Sequence, residues 1–424
     1  MKASAAPNPA LDAAAAGRRF PIVLDRLTHI SEGLAVGLAA SLPWSTSATS
    51  TLLGLWLVTL TPTLDLRSLR RELMTPAGGL PVALWAMGAV GMLWADVGWS
   101  ERLAGLSGYH KLLAVPLLLA QFRRGGRAHW VVFGFLVSCV ALLVLSWGLA
   151  TIPGLTWRGK LSVGVPVKDY ILQSELFAIC AFGLIGQAVE IWQRRMRLAL
   201  VLALVAAAFI GNLLYVETAR TTLVVIVVLL VVLGFRKFGW AGMLGAAVIA
   251  AALSVLVWNS SSYLRERIMH AVEDVQIYET GKATTVGLRL GYWRTSLADI
   301  AEAPVLGHGT GSIPELFRRS ATAETDPQSV TTNPHNQLLA VMLELGLCGG
   351  VVLAAMWTAH VVLFHGPSLI SWFGLVIVLQ SIVACLFNSH LFDFTQGWLY
   401  VVGVGVLGGS VQHAREQARV RGLS

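Results

Sequence analysis

The chain has 424 residues, of which 55% are hydrophobic and 13% charged. Soluble domains carry about 25% charged residues, and apolar runs long enough to cross a hydrocarbon core of about 30 Å recur throughout, so a soluble globular protein is excluded. The net charge of +8 comes from basic clusters between the apolar runs, which is the positive-inside pattern of a membrane protein and not a nucleic-acid-binding surface.

The apolar runs are continuous and not alternating, which predicts helices and excludes a membrane β-barrel. Residues 1–28 are expected as a cytoplasmic N-terminal tail. They are Ala-rich, with Arg18 and Arg19, and no apolar stretch of signal-peptide type follows directly. Nine transmembrane helices are predicted within 29–258, at roughly 29–44, 47–63, 80–96, 108–122, 129–150, 169–191, 198–217, 219–235 and 239–258. An outer polar segment fills 259–334, and three further spans fit within 335–412, at 336–363, 369–387 and 395–412. Residues 413–424 form a C-terminal tail. The fold class is therefore an all-α integral membrane protein of about 12 transmembrane helices with one long helical outer loop. An inside N-terminus places five basic clusters on the cytoplasmic side: Arg67/Arg70/Arg71, Arg123/Arg124/Arg127, Arg194/Arg195/Arg197, Arg236/Lys237 and Arg415/Arg419/Arg421. Both termini are then cytoplasmic.

Within the outer loop, Leu264, Ile268, Met269 and Val272 make one helical stripe suited to the membrane interface. A second helical stretch is predicted over 286–301, with Leu290, Trp293, Leu297 and Ile300 on its apolar side. Pro304, Gly307, Gly309 and Gly311 then force turns, and residues 318–333, rich in charge and Ser/Thr, are expected to be mobile. The four cysteines are isolated inside apolar runs, so no disulfide and no metal-ligand spacing is expected.

Polar residues at the outward ends of the spans are the candidates for chemistry. Asn333-Pro334-His335-Asn336 leads straight into an apolar helix, and Asn followed by Pro is a helix-start signal. His335 is then expected in the first turn, where the helix dipole keeps imidazole neutral, as a general base requires. A capping or packing histidine fits equally well. Asn336 offers hydrogen bonds suited to a sugar. Glu344 lies nine residues after His335, about 180° round the helix, and cannot share its face.

Arg220 sits at an outward turn. It is either an interfacial arginine reaching for water or an anion ligand, and the helix start beside it adds backbone N–H groups to such a site. Arg289, four residues before Trp293, is either a surface arginine or a second phosphate ligand. Lys111 is either a snorkelling lysine or a third phosphate cation, and Asp393 either a solvated cap or a residue that orients a base or holds a sugar hydroxyl. The sequence has no Asp-x-Asp, Walker loop, His-Glu-x-x-His or Gly-x-Ser-x-Gly, so arginines and a histidine remain as the available chemistry.

Three blocks resemble the O-antigen ligase and polymerase superfamily of bacterial envelope glycosyltransferases. They are the Arg220 turn, Arg289-x-x-x-Trp293 running on to Pro304-x-x-Gly307-x-Gly309-x-Gly311, and His335-Asn336-x-x-Leu339 continuing to Glu344-x-Gly346-x-x-Gly349. The resemblance covers about residues 170–400. It implies a fold similar to the metal-independent polyprenyl-linked membrane glycosyltransferases (GT-C type) in the inner membrane, without a cofactor. It implies a donor glycan on undecaprenyl diphosphate and an active site on the periplasmic face. For a ligase the acceptor is lipid A–core oligosaccharide. Under it Arg220 and Arg289 bind diphosphate, His335 is catalytic and Asp393 is a late acid that holds acceptor or sugar; the residues themselves add Lys111 as a diphosphate cation and Asn336 as an acceptor or sugar contact. An O-antigen polymerase uses the same donor class and stays open. A lipid-linked glycan transporter or flippase would need charges and broken helices near mid-bilayer, whereas these charges gather at the outer interface.

Overall fold

The computed structural model describes residues 9–125, 127–157, 164–279, 284–321 and 331–422. Every element among them is a helix. The first is α1 (Pro9–Ser41), which takes in most of the segment expected as a tail. It is followed by α2 (Thr46–Leu60), α3 (Leu66–Leu73), α4 (Pro76–Gly91), α5 (Trp99–Ser107), a 3-10 turn (His110–Leu113) and α6 (Ala114–Arg123). Then come α7 (Ala128–Thr151), α8 (Tyr170–Ile191), α9 (Met196–Tyr215) and α10 (Arg220–Ser260). The long polar loop folds as α11 (Ser262–Glu279), α12 (Thr285–Glu302) and α13 (Ile313–Arg319), and α14 (Gln337–Leu363), α15 (Leu369–Cys385) and α16 (Phe394–Val420) follow it.

Short polar caps start these helices where the apolar runs begin. Ser45, Thr75, Asp169, Thr284, Asn336 and Ser368 each accept a first-turn N–H through the side chain. The core is built by α16 against α6, α8 against α9, α1 against α2 and α7, and α14 against α4. Tyr400, Phe177, Phe182, Phe209 and Trp56 are fully buried within it.

The protein is a multi-pass helical membrane protein, with fewer evident spans than expected. Among the described residues six helices are long and apolar enough to cross a membrane, or eight if the two bent pairs, α3 with α4 and α5 with His110–Arg123, each make one span. The difference from twelve has physical causes. The 15 residues of α2 and the 17 of α15 fall short of the roughly 20 a straight span needs. Asp25, Arg26, His29 and Glu32 interrupt α1. α10 is a single helix by length but reverses at Gly239, where φ 61° and ψ −146° suit only glycine. Its two halves run back along each other: Gly234 abuts the Gly242 carbonyl. Ser260 Oγ returns to 2.9 Å from Tyr215 OH, near the residue where α10 began.

The ends of the bundle differ in charge. At one end Arg123 joins buried Glu72 at 2.8 Å and Glu416 at 2.5 Å, and Arg71 adds a 3.2 Å bond to Glu416. Lys237 pairs with Glu190, Arg236 donates to the Gly366 carbonyl, and Arg415 donates to His365 O at 2.6 Å. The opposite end carries the loop helices and the start of α14.

Both expected loop helices are present as α11 and α12. The apolar stripe of α11 is only half used, with Leu264 buried and Met269 and Val272 exposed. α12 docks on α14: Tyr292 and Ile300 pack with Ile313, Leu316, Phe317, Ala340 and Leu343 in a second apolar cluster. Residues 322–330 of the segment expected to be mobile lie outside the described residues.

The Gly-rich turns have a structural task. α14 breaks at Gly346, with φ 61° and ψ −161°, and the chain from Pro304 to Gly311 bonds to the carbonyls and N–H groups this opens. His308 N donates to Leu343 O at 2.8 Å, Gly309 N to Glu344 O at 2.9 Å, and Leu347 N to Pro304 O at 2.8 Å. Glu344 completes the clasp, accepting from Gly311 N at 2.9 Å and Tyr109 OH at 2.8 Å. It is held by hydrogen bonds, and among the described residues it has no ion pair.

Candidate active site

Arg220 and Arg289 meet in one cavity of about 220 Å³ at the loop end of the bundle, lined also by Tyr170, Ile171, Ala219, Thr221, Phe387, Asn388 and His390. Different elements deliver them. Arg220 is the first residue of α10, whose N-cap is Ala219 and whose start has no side-chain cap. The uncapped start of α10 thus lines the same space as two guanidinium groups, a combination whose chemistry suits an anion. Arg289 arrives on α12, one turn after the Thr284 cap. Burial, and then the nearby charge of Arg220, works against its ionisation, and it has no carboxylate partner among the described residues. Arg220 is tethered, with Asp274 of α11 lying 3.5 Å away. α11 is itself fixed over the turn by Tyr263, whose OH donates to Glu217 at 2.8 Å and accepts from Thr218 N at 2.9 Å.

His335 adjoins this cavity through Asn388, which lines it. Its Nδ1 is 2.9 Å from Asn388 Oδ1, and its ring stacks on Tyr292 with centroids 5.9 Å apart. Nε2 makes no hydrogen bond among the described residues. The expected position in the first helical turn is corrected. α14 starts at Gln337, and Asn336, not Asn333, is its cap. His335 stands before the helix with φ 53°, and its N–H donates to Asn333 Oδ1 at 2.8 Å. Its neutrality has a different main source from the expected helix dipole. Burial, and then the charge of Arg289, hold its pKa below the usual value, against the opposing bond to Asn388 and the charge of Asp393.

Two other candidates serve the scaffold. Lys111 is buried, and its Nζ donates to three carbonyls: Leu391 at 3.1 Å, Phe392 at 2.8 Å and Asp393 at 2.7 Å. All three N–H bonds are in use, and the residue does not line the cavity that holds Arg220 and Arg289. Asn336 Oδ1 accepts from Leu338 N and Leu339 N while its Nδ2 donates to Leu386 O, which leaves little for a sugar. Asp393 is brought to a histidine, but to His390 at 2.9 Å and not to His335.

His390 is the main residue the sequence did not single out. Its second nitrogen lies 3.1 Å from Glu175, so the ring sits between two carboxylates while also lining the cavity. Burial disfavours its charge, but Glu175 and then Asp393 outweigh that and raise its pKa. A signal existed: a glutamate inside the apolar run of α8 needs a partner. Below Arg220, an apolar cleft of about 290 Å³ lies between the halves of α10 and is lined by Leu214, Leu223, Ile226, Leu230, Leu253 and Leu264 among others.

Comparison with known proteins finds similarity over part of the chain. Residues 202–354 match the family described as O-antigen ligase, a stretch that contains Arg220, Arg289 and His335 and leaves out Lys111 and Asp393. An uncharacterised protein of Haemophilus influenzae is 30% identical over 112 residues. That similarity spans 25% of this chain and 28% of the relative.

Proposed function

For a chain that carries an O-antigen ligase family domain across residues 202–354, we propose the reaction of an O-antigen ligase in the bacterial inner membrane, with the cavity on the periplasmic face. A glycan passes from undecaprenyl diphosphate to a hydroxyl of lipid A–core. Arg220, Arg289 and the open start of α10 hold the donor diphosphate. The apolar cleft beside α10 receives the first part of its isoprenoid chain. The acceptor hydroxyl gives its proton to His335 Nε2 as its oxygen bonds to the anomeric carbon. The bond from that carbon to the diphosphate oxygen breaks, with inversion, and the charge released on the leaving group faces the two guanidinium groups. Asp393 acts through His390, and the pair borders the sugar side of the cavity.

The observation that carries this reading is the meeting of Arg220 and Arg289 in one cavity bordered by Asn388, which holds His335. Two cations and a helix start fit a diphosphate better than a single charge. Lipopolysaccharide from a deletion strain tests it. Loss of ligase activity leaves the core without O-antigen while lipid-linked polymer accumulates. A single repeat on the core would instead make the protein a polymerase.

A further inference from the structure

The hydrogen bonds around His335 fix which of its nitrogens carries the proton. A backbone N–H can only donate, so the Asn333 atom 2.8 Å from His335 N is its amide oxygen. Ser389 Oγ donates to that same oxygen at 2.7 Å. The other end of Asn333 is therefore its NH2, which donates to Asn388 at 3.0 Å. The Asn388 atom that receives it is an oxygen, and this oxygen lies 2.9 Å from His335 Nδ1. An oxygen there demands a hydrogen on Nδ1. In neutral imidazole the remaining lone pair then sits on Nε2.

We infer that Asn388, anchored by Asn333 and Ser389, is a positioning residue that locks His335 in the Nδ1–H form and presents Nε2 as the proton acceptor. This rests on the reading of His335 as the base. The choice of an amide has a chemical consequence. A carboxylate in its place would orient the ring equally well, but would also stabilise imidazolium and keep the ring protonated to higher pH. Asn388 orients the ring without adding charge. The other charged or titratable groups facing His335 are Arg289 and Tyr292 on α12, and His390 and Asp393 in the turn before α16. Arg289, with burial, opposes protonation of His335, so the neutral form persists below the pH at which an exposed histidine takes up its proton.

Asn388→Asp tests this, because it keeps the acceptor atom and adds a charge. Two readouts are taken on the purified full chain in detergent. One is the His335 pKa from deuterium exchange at its ring C2–H, read by mass spectrometry. The other is kcat for transfer against pH at saturating undecaprenyl diphosphate-linked glycan, which removes the effect of the new carboxylate on donor binding. A rise of His335 pKa by about one unit or more is expected. The acid limb of kcat should move to higher pH by the same amount. An unchanged pKa overturns the contact and the tautomer assignment. A raised pKa with an unmoved acid limb leaves the contact standing and removes the base role. Asn333→Leu gives a second route outside the cavity. It unlatches Asn388, and kcat should fall about tenfold or more with donor KM unchanged. Wild-type kcat in that variant contradicts the relay.

Discussion

Arg289→Gln removes one of the two cations from the cavity and nearly keeps the side-chain size. Arg289 is half-buried and close enough to Arg220 for their charges to repel. The variant should therefore unfold at the same temperature as wild type or slightly higher without ligand. Donor binding should suffer. A charge-assisted hydrogen bond is worth about 1.5–3 kcal/mol, which corresponds to roughly a 10- to 150-fold weaker donor. The same change acts on His335. Arg289 is the leading charge that lowers its pKa, after burial. The base must be neutral, so the rate falls as pH drops through that pKa. Removing the positive charge raises the pKa and moves the acid limb to higher pH. Thermal unfolding in detergent, donor KM and a pH profile of kcat at saturating donor separate these effects. A donor KM within twofold of wild type, with an unmoved acid limb, would refute the placement of Arg289 beside both phosphate and base.

Three other outcomes are expected. Lys111→Met leaves the Leu391, Phe392 and Asp393 carbonyls without their donor, and should cost about 2–4 kcal/mol in thermal or denaturant unfolding, at roughly 1–3 per unsatisfied carbonyl with partial relaxation. A donor KM raised with stability unchanged would instead restore it as a phosphate ligand. Gly346→Ala places a Cβ 2.3 Å from the Val305 backbone in a conformation nearly closed to other residues, so at least about 1–3 kcal/mol of stability should be lost, and proteolysis of the 304–311 segment should quicken. Asp274→Asn releases Arg220 from a half-exposed pair worth roughly 0.2–1 kcal/mol, so donor binding in a titration should tighten by up to about fivefold.

Much of the frame is written in local sequence. Apolar run lengths and short polar caps locate the helices, and the basic Arg236/Lys237 pair before Gly239 marks where α10 doubles back. The charge pattern also puts Arg220 and Arg289 on one side of the bundle, but their meeting in one cavity depends on how α12 docks on α14. The details that decide roles come from contacts between distant segments. Lys111 looks like an available cation until residues 391–393 surround it. Asn-Pro-His-Asn offers two caps, and a proline after the first favours it. The helix starts from the second, because Asn333 is held instead by the His335 N–H and by Ser389, 56 positions away. Glu344 correctly has no place beside His335, but its partners Tyr109 and Gly311 belong to other elements. The pairing of Glu175 with His390 joins α8 to the turn before α16, and no spacing within either segment reveals it.

Transfer in nanodiscs, by purified wild-type protein and by His335→Ala, tests the assignment of function and site together. Each is given undecaprenyl diphosphate-linked O-antigen and lipid A–core, and products are separated by gel. Wild type should attach O-antigen to lipid A–core, and the folded His335→Ala variant should bind donor normally yet form no detectable product. Full transfer by His335→Ala, or wild-type product found only on a second lipid-linked glycan, would contradict it.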